Sequence, residues 1–574
     1  MSLPMQYFLQ ESMDGCKIIN IKQGQNELYL GDFNNENDNI DDFLTHLNIP
    51  DAESIIFIFG LSSGEYVKRL QSFIGNSNKV YIFEPDEVIY NYIIQDADII
   101  NILKSDPRIA VFNIKTKNDV LNILNKYIDK SYLNKYVVSI YSNYEKIFFK
   151  ELQFLNEGIN EFWSEVAVLR TTNIRFSNIV IDNYISNLKF IDESINAKNL
   201  SNTFDGCTAV IVSSGPSLEK NLKYLKEYQD KCIIICASRS VKELLENNIK
   251  PDFICVLDPG EIVTKLFNES SDLDIPIVIT EQVNKEIVKE YRGKKIFILN
   301  SFKNTIKKIL GEEYVSVNLG GSVAHLATAF AGILGVRNII FIGQDLAFTN
   351  NKYHSTLSSN ENLISQKAEF SKHDLFYVEG NIEEKVFTNN SFMTFRNWFE
   401  IFINNNQQIN FINSTQGGAK IKGTTIMNLN DSLNMYCKNN INKEIDLKVD
   451  NYNKQIIIKY LEKQFIKMKE LSESGIVCSK KMISYYEGNK KIKIDNILNK
   501  LDDIDSKFYR NEEIIYMLNL FKYKALDELN SNNIYREKIN EKDREMGVRL
   551  GHKSLKCYEI YNSAMNEIIE KLNT

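Results

Sequence analysis

The chain reads as an α/β protein with a central doubly wound parallel sheet, a smaller α/β domain before it and an all-helical domain after it. Three observations predict this. Short β-branched runs alternate with helical stretches through the middle of the chain, as a parallel sheet with crossover helices requires. A shorter run of the same alternation precedes residue 200. Beyond about residue 430 there is no proline, glycines thin out, and apolar residues recur at helical spacing. The expected boundaries are therefore 1–200, 201–430 and 431–574.

In the first domain, residues 1–50 are polar and weakly patterned, consistent with a small β cap. Strands follow at Ser54–Phe59, Val80–Phe83, Ile109–Asn113 and Tyr136–Ile140. Gly60-Leu61-Ser62-Ser63-Gly64 follows the first of these, and Glu84 ends the second. That is the outline of a Rossmann-like nucleotide or S-adenosylmethionine fold. The full glycine fingerprint is absent, so a scaffold without a cofactor is the plainer reading and a methyltransferase a weaker rival.

The central strands are expected at Thr208–Val212, Cys232–Ala237, Phe253–Leu257, Ile275–Thr280, Lys295–Leu299 and Asn338–Ile342. Ligands of such sheets sit outside the carboxyl ends of the strands, and this rule selects residues by position. It selects Ser213, Ser214, Gly215, Pro216 and Ser217 after the first strand, Ser238, Arg239 and Ser240 after the second, and Asp258, Pro259, Gly260 and Glu261 after the third. Gly320, Gly321 and Ser322 open a later helix, Val323–Leu334; Gln344 and Asp345 follow the last strand, with Tyr353 and His354 beyond them. Pro216 suits a first helical position, so a helix is expected from there to about Tyr228. Two small-residue turns, each leading into a helix N-terminus, would aim free amides and positive dipole ends at one anion, although any βα turn shares the first pattern.

Of five histidines, His354 lies in a polar loop where a general base would stand, or is simply solvated. His325, in the first turn of an apolar helix, is either a ligand contact or a packed core residue. His373 is a fallback base. Asp-x-Asp pairs occur at Asp96/Asp98, Asp272/Asp274 and Asp503/Asp505, none at a strand's carboxyl end, and no cluster has metal-ligand spacing, so no metal is expected.

Composition narrows the classes. At 574 residues, 43% hydrophobic and 25% charged, the chain can bury large cores. A net charge of −7 without a basic stripe argues against nucleic-acid binding. No apolar run suggests a membrane span or a secretory signal, and eight scattered cysteines without a CxxC pair suit a reducing cytoplasm. The helical C-terminal part offers a surface for a protein partner, or plain packing. Nothing in the sequence signals an oligomeric state.

Five stretches, taken together, resemble a known family. They are Ser213-Ser214-Gly215-Pro216-Ser217-Leu218, Ile249-Lys250-Pro251-Asp252-Phe253, Leu257-Asp258-Pro259, Gly320-Gly321-Ser322-Val323-Ala324, and Ile340 through Thr349 with Gly343-Gln344-Asp345 at its centre. In this order they are similar to the motility accessory factor (Maf) family of flagellin glycosyltransferases; Ile412 to Gly423, with Thr415, Gln416 and Gly417, fits as well. Gln416 stands where the family pattern suggests glutamate. The resemblance implies a central domain similar to bacterial sialyltransferases. It also implies transfer of a nonulosonic acid (pseudaminic or legionaminic type) from a CMP-sugar to flagellin Ser or Thr hydroxyls, in the cytoplasm and without a cofactor. By the same analogy, Tyr353 would donate to the CMP phosphate and His354 would take the acceptor's proton, with His325 a further candidate. Asp258, Ser238 and Asp345 would hold the nucleoside or orient the base. The broader family includes 6-hydroxymethylpterin diphosphokinase-like proteins, so that activity is the alternative, as is a flagellin-binding chaperone without turnover.

Overall fold

The computed structural model describes residues 6–23, 26–130, 135–261, 273–301, 303–348, 375–449, 454–489, 491–532, 534–538 and 541–573. They form two compact units. The first comprises residues 1–171, 474–503 and 523–559; the second comprises 172–473, 504–522 and 560–574. The C-terminal helices Lys454–Glu487, Ile494–Tyr509, Glu512–Ser531 and Asp543–Asn573 thus divide between the two units rather than forming a third. Helix periodicity shows which residues of such helices are buried but not which sheet they pack beside.

In the first unit, β1 (Gln6–Glu11), β2 (Lys17–Gln23) and β3 (Asn26–Leu30) make a small antiparallel sheet. Four parallel strands follow: β4 (Ile55–Phe59), β5 (Lys79–Glu84), β6 (Ile109–Asn113) and β7 (Tyr136–Ile140), in the order β6-β5-β4-β7. All five residues of β4 are buried, as expected for the centre of a sheet covered on both faces. The strand order reverses between β4 and β7, where a ligand would enter a Rossmann-like sheet. The protein fills that place itself. Gly60, at φ +104°, has the Tyr144 ring where a Cβ would stand, 2.4 Å away. The Tyr144 hydroxyl donates to Glu84 Oε2 (2.6 Å) and accepts from the Ser62 amide (2.8 Å). Glu84 also accepts from the Leu61 and Asp86 amides, both at 2.9 Å. Burial nevertheless pushes its carboxyl up to about 7.

The second unit carries a nine-stranded sheet: β8 (Ile195–Asn196), β9 (Thr208–Val212), β10 (Ile233–Ala237), β11 (Phe253–Val256), β12 (Ile277–Thr280), β13 (Lys295–Ile298), β14 (Asn338–Ile342), β17 (Asn410–Asn413) and β18 (Thr425–Ile426). Its order is β18-β17-β14-β9-β10-β11-β12-β13-β8, and every pairing is parallel. A separate hairpin, β15 (Phe376–Glu379) with β16 (Lys385–Thr388), precedes β17. The chain runs from β9 outward to β13 and then returns to place β14 on the other side of β9. The switch point therefore falls between β9 and β14. The helix Val323–Ile333, buried along most of its length, packs against β9, β10 and β11. As the crossover into β14 it runs antiparallel to the strands, so its N-terminus lies at their carboxyl edge. No helix among the described residues is long and apolar enough to cross a membrane.

Candidate functional site

The loops leaving β9, β14 and β17 are laced together at the switch point. The Ser213 amide donates to Ile342 O (3.0 Å), and the Gly215 amide to Gly343 O (2.8 Å). Ser213 Oγ donates to Gln344 Oε1 (2.5 Å), and the Gln344 amide to Thr415 Oγ1 (3.2 Å). Asp345 is 3% exposed; its Oδ2 accepts from Ser217 Oγ (2.8 Å) and from the Ser217 amide (3.4 Å). Gly215 has to be glycine: a Cβ there would meet Asp345 Oδ2 at 2.1 Å and Gly343 O at 2.3 Å. Gly418, at φ +76°, is under the same constraint from the Asp345 backbone. Asn381 ties in the β15–β16 hairpin by donating to Thr415 O (2.6 Å), and Asn221 reaches Ser414 O (3.2 Å). Lys220 Nζ donates to Gln416 O (3.3 Å), and Gly417 is buried within the loop at φ +149°.

These contacts revise the expectation for the first turn. Its Ser213, Gly215 and Ser217 amides are spent on protein acceptors and Pro216 has none to offer, while the Leu218 amide turns back to Gly215 O (3.1 Å). The expected helix from Pro216 is replaced by a 3-10 turn, Leu218–Lys220, and a short helix, Leu222–Glu227. The Asp345 carboxylate takes both Ser217 donors, so this turn is tied to the loop after β14.

The second turn keeps its amides. Ser322 caps the Val323–Ile333 helix, its Oγ accepting from the Ala324 amide (3.3 Å). Among the described residues, none accepts from the Gly320, Gly321 or Val323 amides. His325 closes the cap from inside: its Nδ1 accepts from the Ser322 amide (3.4 Å) and its Nε2 donates to Phe395 O (3.1 Å). Its ring stacks on Trp398 at 4.1 Å, and burial pushes its pKa down to about 3. With both nitrogens engaged and no exposed surface, His325 is a packed, neutral capping residue and not a proton carrier.

The other edge residues are arranged as follows. Asp258 is partly exposed after β11, its Oδ1 accepting from the Gly260 amide (2.8 Å). Ser238 is buried and begins the 3-10 turn Ser238–Ser240 after β10. Tyr353, His354 and His373 lie outside the described residues.

The comparisons with known proteins bear on this edge. The family model described as 6-hydroxymethylpterin diphosphokinase MptE-like matches residues 182–351. A 6-hydroxymethyl-7,8-dihydropterin pyrophosphokinase of Methanocaldococcus jannaschii is 26% identical over 216 residues, 36% of this chain and 87% of that protein. The structure of a MAf glycosyltransferase from Magnetospirillum magneticum AMB-1 superposes with a TM-score of 0.62 at 14% identity, covering 98% of this chain and 91% of that one. The chain shares the fold of that glycosyltransferase. The matched segment 182–351 runs from before β8 past β14, and so contains both turns.

Four further residues at this edge carry buried polar atoms without partners among the described residues. Arg239, selected by position with Ser238, has its Nη1 buried without a hydrogen-bond partner among the described residues. Asn413, at the end of β17, leaves its Nδ2 buried in the same state, and Asn381 and Asn221 each leave an Oδ1 so. The carboxyl-end rule reaches Arg239 and Asn413 as readily as Ser238. Asn221 and Asn381 lie on elements that only the folded chain brings to the edge.

Proposed function

We propose that this protein is an inverting glycosyltransferase that moves a nonulosonic acid, of the pseudaminic or legionaminic type, from its CMP-activated form to serine or threonine hydroxyls of flagellin. The observation that carries this reading is the fold shared with the MAf glycosyltransferase over 98% of the chain, against 36% for the pterin pyrophosphokinase. The ordered motifs from Ser213 to Gly423 support it, since the Ser213–Ser217, Gly343–Asp345 and Thr415–Gly418 stretches among them are interlaced at the switch point.

In this reaction negative charge develops on the CMP phosphate as an oxocarbenium-like sugar departs. The Gly320, Gly321 and Val323 amides, unspent among the described residues, stand at the N-terminus of an eleven-residue helix, a preorganised partner for that charge. Ser238 and Asp258, on strands to one side of β9, are assigned to the nucleoside. Gln344, Thr415, Gln416 and Gly417, on the other side, shape the sugar and acceptor end. Ser213, Ser214, Gly215, Pro216, Ser217 and Asp345 hold the crevice open between them. His354 is assigned as the base that takes the acceptor's proton, a contribution of about 10²–10⁴-fold, and Tyr353 as the donor to the phosphate. The neutral His325 supports the cap. The mechanism invokes no metal.

The test is the intact mass of flagellin co-expressed with this chain and the enzymes that make the CMP-sugar. A mass increase matching one or more nonulosonic acid residues is expected. It should vanish with His354→Ala, while CMP binding by that variant stays within about twofold. Unmodified flagellin beside a saturated donor supply would refute the transferase reading.

The family match over 182–351 favours one rival, diphosphoryl transfer to a pterin. It predicts thermal stabilisation by ATP with a divalent metal and none by CMP.

A further inference from the structure

We propose that Arg239 is the phosphate clamp of this crevice, a binding residue for the phosphate of the nucleotide-bearing substrate. The inference rests on the reading that the carboxyl edge of the second unit takes a phosphate-bearing ligand, which both reactions above require.

Arg239 is the middle residue of the 3-10 turn Ser238–Ser240, directly after β10 and one strand from the switch point. The turn is fixed: Ser240 Oγ donates to Val212 O at 3.2 Å, holding it against the end of β9. A guanidinium cannot shed its charge at accessible pH, so its position has to be compensated by an acceptor or by water. Four other arginines of the described residues stand against carboxylates. Arg549 is paired with Glu541 at 2.8 Å, Arg108 with Asp106 at 2.5 Å, Arg69 with Asp41 at 2.9 Å and Arg536 with Asp51 at 2.5 Å. Among the described residues Arg239 has no such carboxylate, and its Nη1 is buried with no acceptor at all. A buried donor on a permanent cation opposes folding unless something satisfies it.

A second observation from a distant part of the chain points the same way. The Val323–Ile333 helix packs on β9, β10 and β11, and its N-terminus, with the open Gly320, Gly321 and Val323 amides, lies at the edge where β10 delivers Arg239. A permanent cation and a helix N-terminus with free amides, one strand from the switch point, are complementary to a phosphate: the fork takes two oxygens and the amides take the rest. The Ser213–Ser217 turn stands in contrast, since its Ser213, Gly215 and Ser217 amides are spent on protein acceptors.

The experiment measures binding of CMP, cytidine, ATP and inorganic pyrophosphate to the full chain by calorimetry, for the wild type, Arg239→Gln and Arg239→Lys. Thermal melting of the ligand-free proteins runs alongside. The wild type is expected to prefer CMP to cytidine. Arg239→Gln is expected to lose at least about tenfold in CMP affinity and none in cytidine affinity, with Arg239→Lys between them. Ligand-free Arg239→Gln is expected to melt at or above the wild-type temperature, because an unsatisfied buried donor has been removed. CMP binding unchanged in Arg239→Gln would overturn the inference and leave the transferase reading standing, as would a lowered melting temperature with CMP affinity intact. Pyrophosphate or ATP binding that depends on Arg239, without CMP binding, would sustain the clamp and remove the CMP-sugar. A wild type that binds no phosphate probe would overturn both.

Discussion

His325 shows how one buried side chain commits the second unit to a protonation state. Its Nδ1 has to accept from the Ser322 amide while its Nε2 donates to Phe395 O, so only the neutral Nε2–H tautomer satisfies both. The folded-state pKa of about 3 lies below the unfolded value of roughly 6.5, so the unfolded chain binds the extra proton between these limits. Stability from this residue is therefore complete above about pH 6.5 and is lost as pH falls toward 3, with a slope of up to about 1.4 kcal/mol per pH unit. Chemical denaturation of wild type and His325→Gln at pH 7 and pH 5 checks this: the wild type should lose more stability on acidification. Equal slopes would mean that the ring is not held neutral. The sequence showed that His325 opens an apolar helix, but not whether it met ligand or core. That depended on Trp398 and Phe395, which lie some seventy positions away in the sequence. Asp345 was legible by position and opaque in role, because Ser217 stands 128 positions earlier in the chain.

At the scale of elements, the strands beside the switch point were the most legible part of the molecule. β9 and β14 are each five buried residues flanked by small or polar turns, and Thr208–Val212 and Asn338–Ile342 form where their patterns place them. β8 has only two residues, and β17 sets just Phe411 and Ile412 between asparagines, so neither gives an apolar run that reads as a strand. The helix expected after Pro216 is cut short because the loop before it is tied to β14 and β17, a tertiary demand that overrides local preference. That lacing carries a prediction. Gly215→Ala would drive a methyl group into Asp345 Oδ2 and Gly343 O, and should cost about 1–3 kcal/mol. Ser217→Ala removes a donor from a buried carboxylate and should also cost about 1–3 kcal/mol. Denaturant titration of both variants measures it, with near-wild-type midpoints the outcome that would show the loops are not interlocked.

At the scale of the whole molecule, the chain carries two tryptophans, and they fall in different units: Trp163 in the first and Trp398 in the second. Trp398 is placed to respond to ligand, since its Nε1 donates to Asn318 O (2.8 Å) just before the Gly320 turn and its ring stacks on His325. Trp163 stacks on Tyr136 of β7 with its Nε1 buried and without a partner among the described residues, so Trp163→Phe forfeits little and leaves Trp398 as the sole reporter of the second unit. Trp398→Phe leaves Trp163 to report the first. Tyr144 and Glu84 fill the first unit's switch point, whereas the second unit's edge keeps open amides, so nucleotide should stabilise only the second. CMP at a hundred times its dissociation constant adds about 2.7 kcal/mol to a unit that binds it only when folded. In Trp163→Phe, the Trp398-detected melt should therefore move upward by several degrees with CMP. In Trp398→Phe, the Trp163-detected melt should stay within a degree. Acid separates the two further. Glu84 has a folded-state pKa of about 7, above its unfolded value of about 4.3, so its contribution to the first unit is fully present below pH 4.3 and fades as pH rises through 7. That is opposite in sign to His325. Between pH 7 and pH 5 the Trp163 melt, taken relative to a Glu84→Gln background, should rise, and the Trp398 melt, taken relative to His325→Gln, should fall. A CMP shift seen at Trp163 and absent at Trp398 would place the nucleotide in the first unit and undo the assignment of the site.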